Sequence, residues 1–159
     1  EQPDSRVADA YRALRVRLLS LARQRPLKTV LVAGPAGETG TAAIAANLAA
    51  SLAEAGKEVT LVASGTAAAE AAGSLPPEAM RDLLAELGHG SDVVVVEGPG
   101  VLDTAECLAL APMVDAVVVV AAVRSTTRDD VVLARQQLDQ VGADVVGGVL
   151  SNARTPGPI

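Results

Sequence analysis

Apolar positions along this chain follow two rhythms. Residues 29–33, 59–63, 92–97, 116–123 and 145–150 are short, nearly unbroken apolar runs rich in Val, Leu and Ala. Runs of that length without polar alternation are the mark of strands buried on both faces. Between them, residues 5–24, 40–55, 77–87, 103–111 and 126–141 read as helices. The first carries a stripe of Val7, Tyr11, Leu14, Leu18 and Leu21 at spacings of four and three, and Pro26 ends it. Gly56 and Gly142 stand where helices stop, and Pro76-Pro77 stands where one starts. Residues 64–75, rich in Gly, Ala and Ser, read as a loop or weak helix. Strands alternating with helices predict an α/β fold: a doubly wound, mostly parallel sheet flanked by helices. The expected organisation is a single domain over 1–159, with an N-terminal helical segment 1–26 and an α/β core 27–155. Such sheets bind ligands at the carboxyl ends of strands, which points to loops 33–41, 63–67, 97–103, 123–127 and 151–155.

Composition narrows the chemistry. There is no Phe or Trp and one Tyr, so small branched side chains must build the core. A single cysteine, Cys107, excludes an internal disulfide and a cysteine metal cluster, and one histidine, His89, cannot make a zinc site. Cys107 reads as a packed core thiol, His89 as an exposed loop residue, and Tyr11 as a packing residue of the first helix. No apolar run reaches membrane-spanning length and no signal peptide is visible. The start at Glu-Gln-Pro suggests a piece of a longer protein, with any membrane anchor outside it. The net charge is −6, but residues 1–28 carry +4, leaving −10 for the rest. An acidic body argues against nucleic acid as a partner. The basic start suits an anionic membrane surface, an acidic patch on a neighbour, or plain solvation.

The strongest chemical signal is the segment LKTVLVAGPAGETGTAAIAANLAA at 27–50. A strand runs into a Gly-rich turn and then into an Ala-rich helix, the layout of a phosphate-binding P-loop. The pattern G-x-x-x-x-G-K-[ST] adds a lysine for the phosphates and a hydroxyl for Mg²⁺. Read at Gly40, this chain places Thr41 at the lysine position and Ala42 at the hydroxyl position. Gly34, Gly37 and Gly40 remain as candidates to present N–H groups to an anion, or as inherited turn geometry.

In order and spacing, these segments resemble the cytoplasmic domain of bacterial tyrosine kinases, which belong to the deviant-Walker P-loop ATPases. ADAYRALRVRL at 8–18 resembles that family's opening helix, whose acid-x-x-Arg-x-x-Arg oligomerisation motif falls here on Asp9, Arg12 and Arg15. SDVVVVEGPGVLDTAECLALAPMVDAVVVVAAVRSTTRDDV resembles the Walker B region and the strand and helix that follow. GGVLSNA at 147–153 is similar to the last strand, and the resemblance implies an adenine contact at Asn152. The departures are as specific as the matches. The family's two aspartates after its second strand are replaced by Val62-Ala63-Ser64-Gly65, its Walker B aspartate becomes Glu97, and the segment 64–90 is shortened. The tail, NARTPGPI, has no tyrosine cluster.

Phosphoryl transfer rests on positioning and on neutralising phosphate charge. Without the lysine and both aspartates, the expectation is a degenerate P-loop-like domain with no catalytic residues and no metal site: a pseudokinase rather than an enzyme. No cofactor is expected beyond weak ATP or ADP with Mg²⁺ at a vestigial site of Gly34, Gly37, Gly40, Thr41, Glu97 and Asn152. Glu97 reads either as a lone, weak metal ligand or as a solvated acid at a strand end. Thr126 reads as a possible helix N-cap, with Asp129 three residues on. Asp9, Arg12 and Arg15 read as an oligomer interface or as ordinary helix surface. By the resemblance, the domain, itself soluble, is expected to sit at the cytoplasmic face of the inner or plasma membrane as a homo-oligomer. There it would be joined to the membrane-anchored remainder of a polysaccharide co-polymerase and act as an assembly scaffold in capsule or exopolysaccharide synthesis and export. The alternatives are an active kinase or ATPase with non-standard metal ligation, and a soluble adaptor for a separate kinase.

Overall fold

The computed structural model describes residues 3–36, 40–63 and 75–151. Helix α1 spans Pro3–Gln24 and leads into strand β1, Thr29–Ala33. Helix α2, Thr41–Glu54, precedes β2, Val59–Val62. Helix α3, Pro77–His89, precedes β3, Val93–Glu97. Helix α4, Ala105–Leu110, runs into a 3₁₀ turn at Ala111–Met113 and then β4, Ala116–Ala122. Helix α5, Arg128–Gln140, and β5, Val145–Ser151, complete the described order. All pairings are parallel, in the order β2-β3-β1-β4-β5.

The sheet is a Val-rich layer between two helical layers, and strand alternation decides which side chain faces which layer. On one face, Val30, Val32, Val93, Val95, Val118 and Val120 pack against Leu48 and Leu52 of α2 and Leu18 of α1. On the other, Leu31, Ala33, Val94, Val96, Val117 and Val119 meet Leu84 of α3, Cys107 of α4 and Leu138 of α5. The central strands are therefore sealed on both sides, which is why they read as continuous apolar runs. Each fully buried Val or Leu contributes about 1.5–3 kcal/mol relative to exposure.

Three local features differ from the sequence expectations. Val7 opens the predicted apolar stripe yet is 56% exposed, because it overhangs a groove between α1 and α2 rather than packing into it. The N-cap of α5 is Thr127, not Thr126: Thr127 Oγ1 accepts from the Asp130 N–H at 3.1 Å, and Asp130 Oδ2 accepts from the Thr127 N–H at 2.9 Å. Thr126 instead closes the turn behind β4, its Oγ1 accepting from the Ala122 N–H at 2.9 Å. His89 is exposed as expected but is the last residue of α3 rather than a loop residue. The predicted stops hold, since Gly56 and Gly142 both adopt positive φ just past α2 and α5. The loop-or-weak-helix segment falls mostly outside the described residues.

Two polar ties brace the amino-terminal end of the sheet. Asp115 Oδ2 accepts from the backbone N–H groups of Lys28 (2.6 Å) and Thr29 (3.0 Å), locking β4 beside β1. Arg25 at the exit of α1 pairs with Asp144 at the entrance to β5.

Candidate phosphate-loop site

Strand order creates the site. The chain leaves β1 toward the face that carries α2, and leaves β3 and β4 toward the face that carries α4 and α5. Loops diverge there from the carboxyl end of β1, opening the crevice where doubly wound sheets bind ligands. Gly34 and Pro35 are buried at the top of β1. Gly40 takes the left-handed conformation at φ 78° as it opens α2, a geometry cheap only for glycine. The α2 ladder begins with the Ile44 N–H donating to the Gly40 carbonyl at 3.2 Å. The N–H groups ahead of that bond point along the axis at the positive end of the helix dipole.

The loop after β3 is stitched to the loop after β1. Val101 N–H donates to the Gly34 carbonyl and Leu102 N–H to the Pro35 carbonyl, each at 2.9 Å. Gly98 N–H extends the ladder to the Val32 carbonyl at 2.9 Å. A Cβ at Gly98 would stand 2.7 Å from Leu31 Cδ1 and 3.4 Å from Ala33 Cβ, so a side chain there would have to displace the buried Leu31 side chain. Sequence reasoning noticed Gly98 only as the residue after Glu97. A glycine directly following a strand's last acid was the available signal.

The predicted site residues separate into three groups. Gly34 stands at the carboxyl end of β1 and Glu97, half-buried and in register with Val32, at that of β3, while Gly40 and Thr41 open α2. Gly37 and Asn152 lie outside the described residues. Thr41, at the position of the P-loop lysine, is 4% exposed and belongs to the buried face of α2. What this site offers an anion is therefore backbone N–H groups and a helix dipole, a donor set that fits a phosphate without a cationic side chain from that position. Ser151 fell within the flagged loop 151–155 but was not singled out: it ends β5, and its Oγ lies 3.8 Å from where a Cβ on Gly40 would be. Nothing in local sequence links positions 40 and 151; the sheet brings them together. Among the described residues, no group of three or more His, Cys, Asp or Glu is placed to hold a metal.

Asp9, Arg12 and Arg15 do not act as one unit. Arg12 pairs with Asp9 at 2.7 Å on the outer surface of α1. Arg15 turns inward, only 18% exposed, and donates to the Ser51 carbonyl of α2 at 2.8 Å. Cys107 is fully buried, and desolvation pushes its thiol up to about 11, as befits a packing residue. Tyr11 packs against the α1–α2 core, its hydroxyl oxygen accepting from Asn47 Nδ2 at 3.4 Å.

Together these features define a doubly wound, P-loop-type α/β fold. No family model matches the chain, and no curated protein matches its sequence. Solved structures do. The kinase domain of Escherichia coli tyrosine kinase ETK superposes with a TM-score of 0.79 at 20% identity, covering 96% of this chain and 79% of that one. The BceF tyrosine kinase domain gives 0.73 at 20% identity, covering 90% and 76%. The VpsO kinase domain gives 0.70 at 16% identity, covering 95% and 98%. The chain thus has the fold of the bacterial tyrosine kinase domains, as the sequence resemblance implied. These likenesses correct one expectation, that the chain is not an enzyme. The three structures just named are tyrosine kinase or kinase domains, which are enzymes, so the expectation of a non-enzyme is not supported. Among the described residues, no helix is long and apolar enough to cross a membrane.

Proposed function

We propose that this chain is a tyrosine-kinase-fold module of a polysaccharide co-polymerase. It works by assembly at the cytoplasmic face of the membrane, alongside a membrane-anchored remainder. The observation that carries the reading is the division of labour on α1. One side is fastened to the body through Leu14, Leu18 and Arg15, while Asp9, Arg12 and Val16 stand outward at spacings of three and four. A helix held rigidly and presenting a charged, partly apolar face is suited to docking a neighbouring copy. Arg12→Ala combined with Val16→Asp is expected to shift the sedimentation profile toward monomer. An unchanged profile refutes the interface.

A second reading, phosphoryl transfer, is favoured by Glu97, which stands at the β1–β3 crevice beside the loop that leads to α2. In it, ATP or ADP with Mg²⁺ is held weakly by the backbone N–H groups of the loop and of the first turn of α2, and Glu97 supplies the acidic metal contact. Calorimetric titration with ATP and ADP, with and without Mg²⁺, tests the binding. Mg²⁺-dependent turnover abolished in Glu97→Gln supports the chemistry. Equal turnover in that variant removes Glu97 from it.

A further inference from the structure

The sheet ends differently on its two sides. At one edge, β2 has four residues and follows Lys57 and Glu58. Short edges flanked by charge resist pairing with other strands. At the other edge, β5 runs seven residues, Val145–Ser151, with no charged residue and no proline. Among the described residues its strand partner is β4 alone. A register shift between Val117 and Val118 leaves Val146 as a bulge, so the regular part of the edge is 147–151.

That edge carries a knob and a hole on one face. Gly148 pairs with Val119 and Leu150 with Ala121, and both point to the side that carries α5. Gly148 has no side chain, and a Cβ there would meet the Val119 carbonyl oxygen at 3.5 Å. Over it lies a slot of about 510 Å³ whose lining includes Val119, Ala121, Val131, Arg135, Val145 and Leu150. Leu150, two residues on, is 67% exposed. The flank of α5 continues the patch. Arg128, Val132 and Asp139 follow Val131 and Arg135 along it at helical spacings, and Val132 is 46% exposed. Arg128 stands at one end of this stripe, about three turns from Asp139 at the other, where the Asp139 carboxylate accepts from Arg135 Nε at 3.2 Å.

From this arrangement we infer that the β5 edge docks a second copy of this chain, by antiparallel two-fold pairing centred on Val149. A two-fold axis there sets Leu150 of each copy opposite Gly148 of the other, so the exposed side chain enters the slot that lacks one. The same axis runs the two α5 helices antiparallel, bringing Arg128 of one copy toward Asp139 of the other. The two sheets become one continuous sheet, and an uncharged edge is no longer exposed. This surface is separate from the outer face of α1 and does not depend on it.

The test uses the full chain carrying Arg12→Ala and Val16→Asp, so that assembly through α1 does not contribute. Sedimentation across the micromolar range is expected to show a monomer–dimer equilibrium. Leu150→Lys is expected to weaken that equilibrium by about tenfold or more, as loss of a central apolar anchor does. Val149→Cys is expected to crosslink across the axis on mild oxidation, because directly opposed residues have Cβ atoms about 4.5–5.5 Å apart. Cys107, being buried, stays out of that reaction. Amide exchange of β5 should also slow with rising protein concentration, a readout that needs no substitution in the strand. A monomer at every concentration, a dimer indifferent to Leu150→Lys, or no crosslink at Val149→Cys would each overturn the inference.

Discussion

Arg15 and Arg12 lie one turn apart on α1, and the structure predicts that their removal affects different properties. Arg15 Nη1 donates to the Ser51 carbonyl at 2.8 Å, and Ser51 belongs to the last turn of α2. There the ladder is already tightening: Ala55 N–H turns to the Leu52 carbonyl, so Ser51 is left needing another donor. A guanidinium at this point caps an orphan carbonyl and neutralises the negative end of the helix dipole. A charge-assisted hydrogen bond contributes about 1.5–3 kcal/mol, and a cation at a helix C-terminus about 0.3–1 kcal/mol. Glu54, at 3.9 Å and mostly exposed, adds little. Arg15→Ala should therefore destabilise the domain by about 2 kcal/mol, or about 4–8 °C in Tm for a chain of this size. Arg12 is paired only with exposed Asp9, and Arg12→Ala should cost less than about 0.5 kcal/mol. Urea unfolding of the two variants, followed by far-ultraviolet circular dichroism, measures both, with an unchanged slope confirming that the denatured state is comparable. Equal unfolding midpoints for the two variants, or an Arg15→Ala midpoint indistinguishable from the parent, would refute the capping argument.

Asp115→Ala strips acceptors from the Lys28 and Thr29 N–H groups and leaves the Thr29 amide buried, so a loss of about 2–3 kcal/mol is expected in the same urea assay. Thr127→Ala removes half of the α5 capping box and should cost about 1 kcal/mol. In its folded setting the Asp130 carboxyl is held below its ordinary value by the backbone and side-chain hydrogen bonds of Thr127. Its contribution is present above the ordinary aspartate value and fades as pH falls through the lowered one; Thr127→Ala keeps the backbone donor and loses only the side-chain one, so the stability gap between parent and variant should narrow, not vanish, in acid. Cys107 runs the other way. Its thiol stays protonated up to about 11 when folded, while the unfolded chain ionises near about 8.5. The unfolded state then binds fewer protons between those values, so stability should fall as pH rises through that window. Cys107→Ala should flatten that part of the pH profile, and a profile identical to the parent's would contradict the burial argument.

The strands were legible because β1, β3 and β4 are sealed on both faces. A strand in that position has no polar alternation, and a run such as Val93–Val96 has no other comfortable home. Helix ends were legible where backbone geometry demands a residue type, as at Gly56 and Gly142. The departure of Thr41 from the P-loop pattern was also legible, since that motif is local. Sequence alone thus determined the layered α/β fold, the place of the glycine-rich loop after β1, and its departures from the P-loop pattern.

Other features were decided only by tertiary structure. The order β2-β3-β1-β4-β5 places β1 at the centre and brings Ser151 to Gly40, a contact between distant positions that no local pattern encodes. Packing of α1 along α2 turned Arg15 inward as a cap while leaving Arg12 outside, although both occupy one motif. The same packing stopped short of Val7, which a regular stripe would have buried. The physical reason is common to all three. Periodicity says which side of an element is apolar, but where a neighbouring element ends, and which orphan backbone group it leaves within reach, is a property of the assembled layers.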